Sequence, residues 1–385
     1  MFSSLDHSMM LHALQLAKRG RFTTAPNPNV GCVIAQGDHI VGQGYHYQAG
    51  QPHAEVFALR EAGERAKGAT AYVTLEPCSH YGRTPPCAEA LVKANVTRVV
   101  CAMVDPNPKV AGRGIAMLEA AGIEVQTGLL EADAKALNRG FIKRMQTGLP
   151  FVQLKLAASL DGRTALANGE SKWITSPQAR ADVQAYRAQA GAILSTSATV
   201  LADDPSLNVR WSELSADIQA DYPQTDSPQD NLRQPTRIII DSQNRVSPTC
   251  RLAQLPGQTL LARRQSDQLA WPESVQQITV LCSDTTSSDT AQIDLKVLMQ
   301  QLVRDHDINH IWVEAGAGLA GALINAKLVD ELILYQAPKL MGSDSRGLVG
   351  LLGLTSMSHV PTLTISDVRT VGPDIRITAS VSGQV

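Results

Sequence analysis

The 385 residues hold little that would tie the chain to a membrane, a nucleic acid or an oxidising exterior. No stretch approaches the roughly 18 consecutive apolar residues of a membrane span. The amino terminus, "MFSSLDHSMMLHALQLAKRG", carries Asp6, His7 and His12 and lacks the basic start and apolar run of a signal peptide. It reads as an amphipathic helix. A formal net charge of −2 provides no global attraction to polyanions. Six cysteines are too few for a secreted disulfide scaffold, so thiols or metal ligands are expected, in the cytoplasm. No internal repeat is visible. What remains, 44 % hydrophobic and 18 % charged residues, suits a globular enzyme of two unrelated domains.

Strand-like and helix-like segments alternate along the first 145 or so residues, which argues for layered α/β structure. "NVGCVIAQGDHIVGQGYH" reads as a strand pair turned at Gly37-Asp38, and "HAEVFALREAGERA" has helical spacing. "ATAYVTLEP" is a β run ended by Pro77, "PCAEALVKANV" a helix started by proline, and "RVVCAMVD" a buried strand. Gly148 and Pro150 mark the expected boundary between domains 1–147 and 151–385. Beyond it the alternation restarts: strands at "FVQLKLAASLDG", "GAILSTSATV", "TRIIIDS", "HIWVEAG" and "ELILYQAPKL", helices at "SPQARADVQAYRAQA" and "DLKVLMQQLVRD". Two polar stretches, 213–235 and 283–292, read as solvated loops or insertions.

Chemistry in the first half concentrates in "HAE", His53 to Glu55, and in "VTLEPCSHYGRTPPCAEAL", where Cys78 and Cys87 each follow a proline. Zinc takes imidazole and thiolate ligands, and a catalytic zinc keeps one position open. One histidine with two cysteines leaves that position free, and zinc deaminases use a glutamate two residues after the histidine to shuttle protons. Bound zinc lowers the pKa of water from about 15.7 to about 7. His80, two positions after Cys78, is a rival ligand, although Cys87 completes the proline–cysteine pair. Cys32 and Cys101 read as core residues inside apolar strands, and Cys250 and Cys282 have no partner pattern. Eight residues separate Cys78 from Cys87, where the short deaminase signature has two.

Together "PNPNVGCVI", "HAE" and "TLEPCSHYGRTPPC" resemble the deaminase domain of the bifunctional riboflavin-biosynthesis deaminase/reductases. That resemblance implies a three-layer, cytidine-deaminase-like domain with zinc on His53, Cys78 and Cys87 and Glu55 as proton donor and acceptor. It also implies Asn27, His46 and Arg83 near the substrate pyrimidine or its phosphate. A nucleic-acid-editing deaminase would show a basic footprint or an added RNA-binding module.

In the second half "HIWVEAGAGLAGALI" places Gly316, Gly318 and Gly321 after a strand and at a helix start, a pattern able to meet a phosphate. Asp330 and Glu331 come too early to hold the ribose as a Rossmann fingerprint requires. "KLAASLDGRTA", "GESKWITS", "ATVLADDPSLNVR" and "VEAGAGLAGALI" resemble the reductase domain of the same family, which implies a dihydrofolate-reductase-like α/β fold using NADPH. By that resemblance Ala157, Trp173, Thr199, Asp203, Ser242, Gly316, Ala317, Gly318, Leu319, Ala320, Gly321 and Ala322 would meet the nucleotide. Lys155, Ser171, Arg187, Leu207, Arg210 and Glu314 would meet the substrate. Arginine suits bidentate phosphate binding, so Arg187 and Arg210 are the expected sugar-phosphate ligands. Trp173 could instead be core, and Lys155 within an apolar strand needs a partner. Arg263 and Arg264 are candidates for a 2′-phosphate, with solvated surface as the competing reading.

The resemblance implies deamination of 2,5-diamino-6-(ribosylamino)-4(3H)-pyrimidinone 5′-phosphate and then NADPH-dependent reduction of its ribosyl group to ribityl. The expected product is 5-amino-6-(5-phosphoribitylamino)uracil. A homo-oligomer acting on this small molecule, without nucleic acid or membrane as partner, is expected. A regulatory nucleotide-binding protein with a structural zinc is the reading from another class, but such a zinc normally has four protein ligands.

Overall fold

The computed structural model describes residues 1–81, 85–108, 110–222, 229, 232–281 and 292–381. It divides into two compact units, Met1–Gly148 with Ala220–Leu232 and Leu149–Gln219 with Arg233–Val385.

The first unit contains α1 (Ser4–Arg19), β1 (Gly31–Gln36), β2 (His39–Tyr45), α2 (Ala54–Ala62), β3 (Thr70–Val73), α3 (Cys87–Lys93), β4 (Arg98–Cys101), α4 (Arg113–Ala120), β5 (Glu124–Thr127), α5 (Glu131–Leu137) and α6 (Arg139–Thr147). Its strands lie in the order β2-β1-β3-β4-β5. Both faces of the sheet are covered, and the period-2 alternation of strand side chains shows it. Cys32, Ile34, Val73, Val99 and Cys101 pack under α2, α3 and α4. Their neighbours Val33, Ala35, Tyr72 and Val100 pack under α1 and α5 on the other side. This is the three-layer arrangement expected, with Cys32 and Cys101 in the core. Close approach of α2 depends on Gly42, where a Cβ would stand 2.2 Å from the Ala58 carbonyl oxygen.

The polar stretch 213–235 departs from the expected solvated loop. It opens in a helical turn, Trp211–Glu213, and a short helix, Ala216–Asp221. Asp221 then pairs with Arg21 at 2.6 Å, and buried Tyr222 stacks on Phe22 with centroids 5.5 Å apart. An aromatic side chain inside a polar run finds its cover far away in sequence. Most of the second stretch, 283–291, and Cys282 before it lie outside the described residues.

The second unit contains β6 (Phe151–Ser159), β7 (Arg163–Ala165), α7 (Pro177–Gln189), β8 (Ala192–Thr196), α8 (Ser197–Asp203), α9 (Ala216–Asp221, its final turn counted with the first unit), β9 (Thr236–Ile240), α10 (Arg251–Gln254), β10 (Thr259–Arg263), β11 (Val275–Thr279), α11 (Leu295–His306), β12 (His310–Glu314), α12 (Ala317–Asn325), β13 (Glu331–Ala337), β14 (Arg346–Gly347), β15 (Leu363–Val371) and β16 (Asp374–Val381). A nine-stranded sheet runs β11-β10-β9-β8-β12-β6-β13-β16-β15, parallel from β11 to β13 and antiparallel at β16 and β15. Leu154, Leu194, Ile238 and Val313 face α11 and α12, whereas Ile193, Ile239, Trp312 and Tyr335 face α7. The segment "GAILSTSATV" is strand only to Thr196. There the Thr196 hydroxyl accepts the Thr199 N–H at 3.4 Å and the chain turns into α8, as threonine at an N-cap favours.

Arg263 corrects both readings of it. Its side chain is fully buried, with Asp241 at 2.8 Å and Asp267 as partners, so it neither lies on a solvated surface nor reaches a 2′-phosphate. Arg264 is half-buried.

Candidate active sites

His53 is the N-cap residue of α2, and Glu55 follows within the first turn, buried. Cys78 lies in the loop after β3, and Cys87 opens α3 behind Pro86. Because α2 and α3 pack on the same face of the sheet, their starts meet. The Sγ atoms of Cys78 and Cys87 stand 3.6 and 3.4 Å from His53 Nδ1. All three ligand atoms lie within 4.8 Å of one another. In a tetrahedral site with zinc–sulfur and zinc–nitrogen bonds of about 2.3 and about 2.0 Å, the nitrogen–sulfur edge is about 3.5 Å. The triangle therefore fits zinc and leaves the fourth corner open. His80 is exposed and outside it.

Burial pushes the Glu55 carboxyl up to about 7, with His53 opposing the rise and Cys78 adding to it. A divalent charge at the three ligands would act in the opposite sense. Cys78 is drawn down to about 4, first by its hydrogen bond from Cys87, against burial, and then by His53 and the Cys87 N–H. Its partner Cys87 is pushed up by that same hydrogen bond and by burial.

Asn27 and His46 join this cluster. Pro52 O can only accept, so His46 Nδ1 donates to it at 3.1 Å. Burial disfavours the charged ring, which leaves Nε2 to accept from the Asn27 amide at 3.0 Å. The rings of His46 and His53 meet edge to face, 5.4 Å between centroids. Arg83 lies outside the described residues.

Sequence reasoning missed Glu76. Its buried carboxylate accepts the N–H groups of Asp105, Gly112, Gly114 and Ile115 at 3.1, 2.9, 2.9 and 3.3 Å. It thereby binds the loop after β4 to the backbone that carries Cys78. Burial lifts Asp105 in that loop to about 6, against the Asn107 N–H, with Glu76 and Cys78 adding to the rise. Adjacency to Pro77-Cys78 was the available signal, but the acceptors' partners lie some distance along the chain.

In the second unit Thr199 follows β8, Ser242 follows β9 and the segment from Gly316 to Ala322 follows β12, beyond the C-terminal ends of these parallel strands, whereas Leu207 packs in the core and Arg210 is exposed. A cleft of about 570 Å³ is lined by Ile240, Ser242, Lys296, Gly318, Leu319 and Ala322, among others. Its position outside strand ends is where α/β sheets bind ligands. Gly316 is the N-cap of α12, whose first-turn N–H groups lack intrahelical acceptors. A Cβ at Gly316 or Gly318 would meet no protein atom, so space remains for a phosphate. Gly321 differs: a Cβ there would stand 2.2 Å from Gly350 O, so packing accounts for it. Ala320 is buried in the core and Ala317 accepts the Gly350 N–H at 2.9 Å. Asp330 and Glu331, at the start of β13, accept from Val152 N and Gln153 Nε2 at 2.7 and 2.5 Å.

Glu314 ends β12 in register with Lys155 of β6. Arg187 grips its carboxylate at 2.6 and 2.9 Å, and Trp312 Nε1 donates to it at 2.8 Å. Burial pushes the Lys155 ammonium down, Glu314 opposing and Arg187 adding to the effect. Ala157 lies farther along β6, paired with Tyr335. On α8, the Thr199 hydroxyl is 3.3 Å from that of Thr196, and Asp203 pairs with Lys172 at 2.9 Å. Half-buried Ser171 precedes that lysine. Trp173 is not core: it is 64 % exposed, with the Arg180 guanidinium 4.5 Å from its ring. Leu207 is buried among core residues at φ 44. Exposed Arg210 pairs with Glu213 at 2.5 and 2.8 Å. The strand period could have disclosed Trp312, two residues from Glu314 on the same face.

Fold and site define a class, a zinc-type deaminase unit joined to an α/β reductase unit with a nucleotide-sized cleft. Residues 3–103 match the cytidine and deoxycytidylate deaminase zinc-binding region, and residues 150–377 match the RibD C-terminal domain. The chain is 61 % identical over 370 residues to the riboflavin biosynthesis protein RibD of Escherichia coli strain K12, covering 96 % of this chain and 98 % of that protein. A RibD structure from Acinetobacter baumannii superposes with TM-score 0.86 at 44 % identity, covering 98 % and 99 % of the two chains. A diaminohydroxyphosphoribosylaminopyrimidine deaminase/5-amino-6-(5-phosphoribosylamino)uracil reductase from Thermotoga maritima does so with TM-score 0.83 at 29 % identity, covering 98 % and 99 %. This chain belongs to the RibD family of bifunctional riboflavin-biosynthesis deaminase–reductases. The family and fold read from its motifs are borne out.

Proposed function

We propose that residues 1–147 deaminate 2,5-diamino-6-(ribosylamino)-4(3H)-pyrimidinone 5′-phosphate and that residues 151–385 reduce the product's ribosyl group. The reading is carried by one observation, the His53, Cys78 and Cys87 triangle beside buried Glu55. Zinc there supplies an acidified water and a Lewis acid. Glu55 takes a proton from the attacking water and returns it to the departing amine. Asn27 and His46 orient the pyrimidine, and Arg83 is assigned to the same substrate.

NADPH supplies the hydride for the second reaction. Ser242 and the first turn of α12, Gly316 to Leu319, hold its phosphates, with Ala157, Trp173, Thr199 and Asp203 along the rest of the cofactor. Opening of the sugar ring makes C1′ electrophilic, and Lys155, Ser171, Arg187, Leu207, Arg210 and Glu314 hold the phosphosugar open toward the hydride. No disulfide links the described cysteines, in keeping with work in the cytoplasm. The chain acts as a homo-oligomer without nucleic acid.

The test is direct. The full chain with zinc, the phosphorylated diaminopyrimidine and NADPH should release ammonia and then consume NADPH. A nucleotide-binding regulator with a structural zinc would release no ammonia.

A further inference from the structure

Two of the three atoms offered to zinc belong to residues at helix starts: His53 caps α2 and Cys87 opens α3. Cys78 lies in the loop after β3, where neither a strand ladder nor a helix fixes its backbone. Its neighbours hold it instead. The Glu76 N–H donates to Met103 O at 3.0 Å, just past β4. From the same residue the buried carboxylate reaches the start of α4: Oε2 accepts the Asp105 and Gly112 N–H groups and Oε1 those of Gly114 and Ile115. Gly112 is the N-cap of α4 and has no side chain to offer, so a carboxylate 38 positions before Gly114 satisfies the first-turn donors. Pro77 O packs so closely on that turn that a Cβ at Gly114 would stand 2.0 Å from it. On the other side, the Cys78 carbonyl oxygen accepts the Ala88 N–H at 3.2 Å and its Sγ accepts the Cys87 N–H at 3.3 Å. The one ligand on a loop is thus strung between the first turns of α3 and α4.

Four N–H donors converging on one side chain select a carboxylate. Ionised, it offers about four lone-pair sites on two oxygens, whereas an amide offers one oxygen and turns N–H groups outward from its nitrogen. Glu76→Gln would satisfy either the Asp105 and Gly112 pair or the Gly114 and Ile115 pair, and would set donor against donor at the other. Buried donors left without an acceptor push the backbone of Glu76 and Pro77 off α4, and Cys78 follows it. We propose that Glu76 is the positioning residue of the deaminase centre, tying the backbone before Cys78 to the start of α4 and so setting where that zinc ligand stands. This rests on the zinc reading above and names what holds that site.

In the full chain, Glu76→Gln should weaken zinc about 10- to 100-fold, as loss of an outer-shell partner does, read by competition with a chromogenic chelator. Cobalt substituted for zinc should show altered sulfur-to-metal and d–d bands, because both depend on where the thiolates stand. Ammonia release should fall with them, and reduction of supplied deaminated substrate should not. Asp6→Asn is the matched control, since Asp6 is a buried carboxylate of the same unit, on α1, held by Arg98 at 2.7 Å and Tyr72 at 2.9 Å. It should lower the melting temperature and leave zinc affinity and the cobalt bands as in the parent. Should Glu76→Gln not fold, Glu76→Asp, which keeps the charge on a shorter stem, should show smaller shifts in the same direction. A folded Glu76 variant with the parent's zinc affinity and cobalt bands, however far its melting temperature falls, would overturn the positioning role alone. A parent that takes up no metal at these ligands would overturn the zinc reading with it.

Discussion

Arg187 and Glu314, 127 positions apart, form a bidentate ion pair at 2.6 and 2.9 Å with both side chains largely out of solvent. Burial alone would lift the Glu314 carboxyl, but Arg187, Lys155 and Trp312 together hold it at about 2. The arginine that the sequence offered as a phosphate ligand is thus first the counterion of a buried carboxylate. Its remaining Nη1 donates to Asn208 O at 3.0 Å. Arg187→Met should destabilise the fold by about 3–5 kcal/mol, because it strands Glu314 without its cation. The pH dependence has a definite sign. Glu314 is depressed from 4.5 to about 2, so its contribution is present above the ordinary value and lost as pH falls between those limits. Urea melts between pH 5 and about 2 should therefore show a steeper loss in the parent than in Arg187→Met.

The chain should bind about one zinc, and Cys87→Ser should lose both metal and ammonia release. Metal analysis alongside a deaminase assay checks this. Full deamination without bound metal would remove the zinc reading.

Glu55→Gln keeps size and hydrogen bonding but cannot relay a proton. Deamination should fall by about 10²–10⁴ while zinc remains bound. Reduction of supplied deaminated substrate should be unchanged, since its residues belong to the other unit. Loss of reduction in a folded Glu55→Gln protein would contradict separate sites.

Two glycines of α12 should separate cleft from core. A Cβ at Gly318 meets open space, so Gly318→Val should leave the fold intact and block NADPH binding. Titration by cofactor fluorescence reads the loss, with deamination as the control. Gly321→Ala drives its Cβ to 2.2 Å from Gly350 O and should lower thermal stability instead.

Arg210 is exposed, and its partner Glu213 is near in sequence. Losing that surface pair should cost under about 1 kcal/mol. Arg210→Ala should raise the reductase KM for the phosphorylated substrate well above any effect on the dephosphorylated analogue. Equal effects on the two would assign the residue to structure.

Residue type and local period determined the strand alternation, the helix starts at His53 and Pro86, and the ligand set His53, Cys78 and Cys87. Zinc chemistry depends on which atoms are offered, and proline and the period-2 pattern act on near neighbours, so these were legible before any folding was considered. Only tertiary structure decided that Arg263 is buried beside Asp241, that Tyr222 leaves a polar run to stack on Phe22, and that Arg187 neutralises Glu314. An arginine is spelled the same whether it meets solvent, a phosphate or a carboxylate. What distinguishes these fates is desolvation, and desolvation is set by residues brought from elsewhere in the chain.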